Sequence, residues 1–316
     1  MTTRPFDQFR QEILGNYNQG KYREALVSIS EALVQHPERA QLLLYWNMCM
    51  YGRLNDVKAT IQEFQKAIDA GYWYAADQLA DDDADLLPAT SHPEFIRLRE
   101  IAVARYQEAV ANSKPELLVL PLHPNAKAPY PLLLVLHGNN NNAEDTAPFW
   151  RSLTEQGWLV ALAQSSQTTG ANTYIWNDHA MAVPEIQAHL AQLKNDYAID
   201  ENCVVVGGFS AGAGLACRVV LKQDIKAKGF VALGAYIASP EELLAEVNDE
   251  AIKHVHGVNI IGDQDESCLP GTLKLTGMLK EHGIACQISI IEGIGHSYPV
   301  DFAERLCKAT KFILNR

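Results

Sequence analysis

The sequence predicts two folds in tandem: an all-α domain over residues 1–110 and, after a polar connector at 111–116, an α/β domain with a parallel, doubly wound sheet over 117–316. Three observations predict this. The first 110 residues keep a helical spacing of apolar side chains, with few glycines and no strand-like run. Beyond them, apolar runs of strand length alternate with helical stretches, the pattern of a parallel sheet covered on both faces. One of those runs, residues 204–209, leads straight into Ser210, which Gly208 and Gly212 flank before helix-compatible sequence begins.

Taken in order, Gln19-Gly20-Lys21-Tyr22-Arg23-Glu24-Ala25-Leu26, then Ile29, Ala32 and Pro37, open the helical part. The spacing resembles the second half of a tetratricopeptide repeat, in which small and aromatic positions let paired helices pack closely. A weaker copy runs from Tyr45 through Gly52, Phe64 and Ala67, with Trp46 and Met50 at large positions. Residues 73–98 give a third, degenerate pair whose last helix starts at His92-Pro93-Glu94-Phe95. About three repeats are needed for independent stability. The domain is therefore expected to pack on its neighbour or on a second copy of itself. It reads as a docking module for a protein partner, as a cap over an active site, or as a plain helical domain.

The α/β part offers strands at 117–122, 131–136, 158–163, 204–209, 229–234, 258–262 and 288–291, with a helix at 182–197. Residues 131–136 are apolar throughout, as in a strand buried on both faces. Ala211, Gly212, Ala213, Gly214 and Ala216 let the helix after Ser210 lie close to its strands despite the weak helix propensity of glycine.

The chemistry-bearing residues stand at strand ends, where open α/β sheets place their sites. G-x-S-x-G, here 208–212, is the nucleophile elbow: a tight strand-to-helix turn that lifts the serine hydroxyl clear of the backbone. Strand 131–136 ends in His137-Gly138-Asn139-Asn140, strand 258–262 runs into Asp263-Gln264-Asp265, and strand 288–291 leads to Gly295-His296-Ser297. Around such an elbow, the loop after the earlier strand and the residue after the serine donate N–H groups to an oxyanion. Those donors are Asn139 and Ala211, with Asn140 as the alternative to Asn139. His296 is the base, and Asp263 and Asp265 compete as the acid. His137 precedes the serine and reads as structural.

With the stretches LVLHGNNNN, VVVGGFSAGAG, IIGDQDE and GIGHSYP, the chain resembles the α/β-hydrolase superfamily across roughly residues 115–316. The serine–aspartate–histidine order is that of this fold. The likeness is to small esterases of the phospholipase/carboxylesterase and polyhydroxyalkanoate-depolymerase types. It implies hydrolysis of carboxylic esters or thioesters through an acyl-enzyme on Ser210. Its pattern of glycine, two residues and aspartate selects Asp265 over Asp263. The small catalytic part suggests a core without opening antiparallel strands or a large lid. Trp176 and Tyr298 are candidate walls of the substrate pocket. Rival readings are a hydrolase-fold scaffold without turnover and an acyltransferase using the same acyl-enzyme. A dedicated peptidase is disfavoured, since no propeller-like gating domain is present.

Composition narrows the partners. A net charge of −12 argues against nucleic acid or an anionic membrane as the main partner. No apolar stretch approaches the ~20 residues of a membrane span. The opening Met-Thr-Thr-Arg-Pro-Phe has no apolar leader core, and six scattered cysteines without C-x-x-C pairs suit a reduced, cytoplasmic protein. No cofactor or metal is expected. Asp81-Asp82-Asp83-Ala84-Asp85 lacks the glycine and glutamate of a calcium loop, His254 and His256 would share a strand face without a third ligand, and 207–212 lacks dinucleotide-site spacing.

Overall fold

In the computed structural model, residues 4–245 and 247–315 are described. Residues 1–3, part of the stretch read above for a leader, lie outside them. The described residues fall into two compact units, 1–113 with 168–171, and 114–167 with 172–316.

The helical unit is built from α1 (Phe6–Asn18), α2 (Tyr22–Gln35), α3 (Ala40–Arg53), α4 (Val57–Asp69), the single turn α5 (Leu87–Thr90) and α6 (Pro93–Asn112). Three-residue links at 19–21 and 54–56 fold α1 back on α2 and α3 back on α4. Phe9, Ile13, Ala25, Ile29 and Ala32 share one core, and Met48, Phe64, Ala67, Phe95 and Leu98 another. His92 caps α6 by accepting the Glu94 N–H. Three of the four aspartates in the acidic run 81–85 are engaged within the unit. Asp83 Oδ1 accepts the N–H groups of Asp85 and Leu86, Asp81 pairs with Arg99, and Asp85 accepts the Tyr17 hydroxyl at 2.7 Å.

In chain order the second unit runs β1 (Glu116–Val119), β2 (Tyr130–Leu136), α7 (Ala143–Trp150), β3 (Leu159–Gln164), then, after β4 (Thr168–Gly170), which groups with the first unit, β5 (Thr173–Tyr174), α8 (His179–Asp196), β6 (Ile199–Phe209), α9 (Ala211–Leu221), β7 (Gly229–Leu233), α10 (Pro240–Ala245), α11 (Asp249–Ile252), β8 (His256–Gly262), α12 (Leu269–Glu281), β9 (Ala285–Ile291) and α13 (Phe302–Ile313). The main sheet is ordered β1-β3-β2-β6-β7-β8-β9, and β4 and β5 stand outside it. From β3 through β9 its pairs are parallel.

Alternation along β2 shows why the sheet is wound on both sides. Leu132, Leu134 and Leu136 face a core shared with α8, α9 and α12, whereas Leu133 and Val135 face α7 and α13. One expectation is corrected here: β1 runs antiparallel to β3, so the sheet does carry an antiparallel strand at its start. Residues 120–129 contain no helix, and a parallel return needs a crossover of a dozen or more residues. A second correction concerns His254, which lies in the turn before β8 and not on a strand face with His256.

No helix among the described residues is long and apolar enough to cross a membrane. All six cysteines are free, five of them buried.

Candidate active site

The turn between β6 and α9 sets Ser210 at φ 56° and ψ −122°, a backbone conformation that few side chains adopt. Three backbone hydrogen bonds hold it there: the Ser210 N–H donates to the Leu233 carbonyl, and the Ser210 carbonyl accepts from Gly214 and Tyr236. The flanking glycines are required by contact. A Cβ on Gly212 would lie 2.2 Å from the His137 carbonyl oxygen, and one on Gly208 would lie 2.5 Å from the Gly212 backbone.

Around this serine the structure brings together residues far apart in sequence. The Ser210 hydroxyl lies 2.8 Å from His296 Nε2, and His296 Nδ1 lies 2.6 Å from Asp265 Oδ2. Asp265 is only 2% exposed. Its other oxygen accepts from the Ser267 hydroxyl and the Cys268 N–H. Burial alone would raise this carboxyl, but the hydrogen bonds led by His296 hold it below the usual aspartate range. For His296 burial likewise opposes the charged form, and the Asp265 hydrogen bond followed by Cys268 outweighs it, raising the ring above an ordinary histidine. Asp263 has a different place: its Oδ1 accepts the Gly293 N–H at 2.8 Å and shapes the loop after β9.

The asparagine tract closes the other side, with a separate task for each residue. Asn139 accepts the Trp176 N–H through Oδ1 and donates to Asn177 through Nδ2. Asn140 sits at φ 57°, a region asparagine tolerates, and its N–H goes to the Tyr174 carbonyl at 2.8 Å. That bond occupies the Asn140 N–H. Asn141 receives the Tyr174 N–H on its carbonyl, and Asn142 caps α7 by accepting the Asp145 N–H. The backbone N–H groups of Asn139 and Ala211 are left without an acceptor among the described residues. Gly138 brings this loop against the serine, since a Cβ there would sit 3.5 Å from Ser210 Cβ.

His137 is buried in the same loop, with Nδ1 on the Gly138 carbonyl and Nε2 taking the Ser165 N–H. Burial pushes its pKa down to about 4, so the ring is neutral. Trp176, 1% exposed, packs against it with the rings tilted and their centroids 4.8 Å apart, and donates its indole N–H to the His137 carbonyl. One edge of that indole reaches a cavity of about 480 Å³ lined also by Ala211, Leu215, Tyr236 and Leu243. Tyr298 does not line this cavity. Its ring stacks at 3.8 Å on Phe149 and packs on Phe209, while its oxygen accepts the Trp150 indole N–H.

Sequence reasoning missed Gly234. At φ 54°, it leaves room where a Cβ would come within 3.3 Å of His296 Nδ1 and 3.4 Å of Asp265 Oδ2. A glycine ending strand 229–234 was the available signal. Among the described residues, Asp265, Cys268 and His296 form the group with metal-ligand chemistry, their ligand atoms within 4.8 Å of one another. The Asp265–His296 hydrogen bond lies inside that group and accounts for the closeness of those two residues.

Residues 159–314 match the phospholipase/carboxylesterase family, and residues 6–110 match an N-terminal domain of α/β-hydrolase-like proteins. No curated protein matches the chain. Among solved structures, an uncharacterized protein from Bacillus cereus aligns over 98% of this chain and 99% of its own, with 24% identity and a TM-score of 0.54. Esterase PE8 aligns over 64% of this chain and 99% of its own, with 23% identity and a TM-score of 0.53. Est1E from Butyrivibrio proteoclasticus, solved with ferulic acid, aligns over 64% and 95% with 15% identity and a TM-score of 0.50. At these identities the likeness establishes the α/β-hydrolase fold.

Proposed function

We propose that this chain, which belongs through residues 159–314 to the phospholipase/carboxylesterase family, hydrolyses carboxylic esters through an acyl-enzyme on Ser210. The observation that carries the reading is the continuous hydrogen-bond chain from Ser210 Oγ through both ring nitrogens of His296 to Asp265.

His296 Nε2 takes the Ser210 proton as Oγ attacks the ester carbonyl. The negative charge that develops on the carbonyl oxygen is received by the N–H groups of Asn139 and Ala211. Collapse of the tetrahedral intermediate expels the alcohol, which takes its proton from His296. Water, activated by the same ring, then repeats the attack and frees the acid. Asp265 fixes the ring with its proton on Nδ1 and stabilises the imidazolium. Thioesters present the same acyl carbon and fall within the same chemistry.

The test is turnover of short p-nitrophenyl esters and of matching thioesters by the wild type and by Ser210→Ala. The reading expects hydrolysis by the wild type and a loss in kcat on the order of 10⁶-fold in the variant. Comparable turnover in a folded Ser210→Ala protein would refute it.

A further inference from the structure

The loop that carries the Asn139 N–H is tied to one short segment, 172–177. Within the second unit, Asn139 bonds to Trp176 and Asn177, Asn140 and Asn141 bond to Tyr174, and Asn142 donates to the Asn172 carbonyl. The Ile175 N–H donates to the Gln167 carbonyl and closes the base of the hairpin that carries this segment. A loop held through its side chains and backbone by one hairpin keeps its place only as well as the hairpin does.

The tip of the same hairpin groups with the helices. Residues 168–171 belong to the first unit, and there the Ala171 N–H donates to Gln41 Oε1. Gln41 stands in the first turn of α3 and is 7% exposed. Its Nε2 donates to the Trp73 carbonyl, and its own carbonyl accepts the Tyr74 hydroxyl at 2.9 Å. A buried amide with both ends bonded is held in one orientation. An apolar side chain would fill the same volume in α3. What the amide adds is the pair of bonds to Trp73 and Ala171.

We propose that Gln41 is a positioning residue for ester hydrolysis: by holding Ala171 it fixes the hairpin that holds the asparagine tract, and with it the Asn139 N–H. The proposal rests on Ser210 being the nucleophile and on Asn139 donating to the oxyanion. Asn172 follows Ala171 directly, so a shift at the tip passes along the backbone to the partner of Asn142 and then to those of Asn139–Asn141. Misplacing a positioned group by ~1 Å costs about 10²-fold in rate. Gln41 itself takes no part in the bond-making steps.

The experiment uses the full chain and Gln41→Met, which keeps the volume and removes both amide bonds. With a p-nitrophenyl ester, kcat is expected to fall about ten- to a hundredfold while KM moves by less than about threefold, because the lost alignment is felt where charge develops on the oxygen. Hydrogen exchange gives a readout that a general loss of stability would not: the Asn140 and Tyr174 amides should exchange about tenfold faster, while those of β2 and β6 keep their protection. Ala171→Pro removes the same bond from the other side. Ala171 does not share the left-handed φ of 55° at Asn172, so proline is not barred there, and both effects should recur. An unchanged kcat in either folded variant would overturn the proposal, as would exchange that quickens evenly across the sheet. In the wild type the Ala171 amide should be protected. Exchange there at the rate of an open chain would overturn the proposal without any variant, and this measurement decides should neither variant fold. Ester hydrolysis that ignores both substitutions would sink the proposal alone. Absence of any ester hydrolysis by the wild type would sink the serine-hydrolase reading with it.

Discussion

His137 and His296 each follow a strand of the same sheet, and each has a glycine beside it in sequence. Their surroundings drive them in opposite directions. His137 is buried between backbone partners, the Gly138 carbonyl and the Ser165 N–H, and burial pushes it down to about 4. His296 keeps part of its ring in solvent and shares a proton with Asp265, which raises it. A neutral imidazole with both nitrogens fixed on backbone can only brace a loop. An imidazole with a carboxylate on one nitrogen and a serine hydroxyl on the other can accept a proton and hold it. The neighbours, more than the residue type, separate the two.

The largest expected effect tests the His296 half. His296→Ala should lower kcat on the order of 10⁶-fold in ester hydrolysis and leave thermal stability little changed. Asp265→Asn should follow, at about 10⁴-fold in kcat, because the ring loses the partner that fixes its tautomer. The same variant should shift the pH profile. The base acts when neutral, and the folded-state pKa is raised, so the wild-type kcat/KM should rise with pH through a limb above the ordinary 6.5. Without the carboxylate that limb should move to lower pH, and a limb that stays put would contradict the pairing.

Gly212→Ala crosses from one half to the other. The new methyl meets the His137 carbonyl, so the loop bearing the Asn139 N–H must shift. Loss of one oxyanion donor implies a fall in kcat on the order of 10²–10³-fold. His137→Phe should act mainly on stability, since the Gly138 carbonyl and Ser165 N–H lose their buried partner at about 1–3 kcal/mol each, measurable by denaturant unfolding. Smallest of all, Asp263→Asn keeps an acceptor for the Gly293 N–H and should move stability by about 0.5 kcal/mol or less.

Legibility in the sequence followed how tightly geometry restricts residue choice. The 208–212 motif was readable because the turn at Ser210 leaves no room for a side chain at Gly208 or Gly212. Residues 131–136 were readable because both faces of β2 are buried. Strand direction was not readable for β1, since an apolar run carries no sign and its partner β3 lies some forty residues downstream. The asparagine tract hid its division of labour, because all four of its residues bond to positions 172–177, a segment without a distinctive pattern.

The most direct test of Ser210 activation by His296 is labelling of the intact protein with a fluorophosphonate, with the modified residue located by mass spectrometry. Stoichiometric label on Ser210, lost in His296→Ala and retained in His137→Phe, is the predicted result. A folded wild-type protein that takes no label, or a label on Ser210 that persists in His296→Ala, would contradict it.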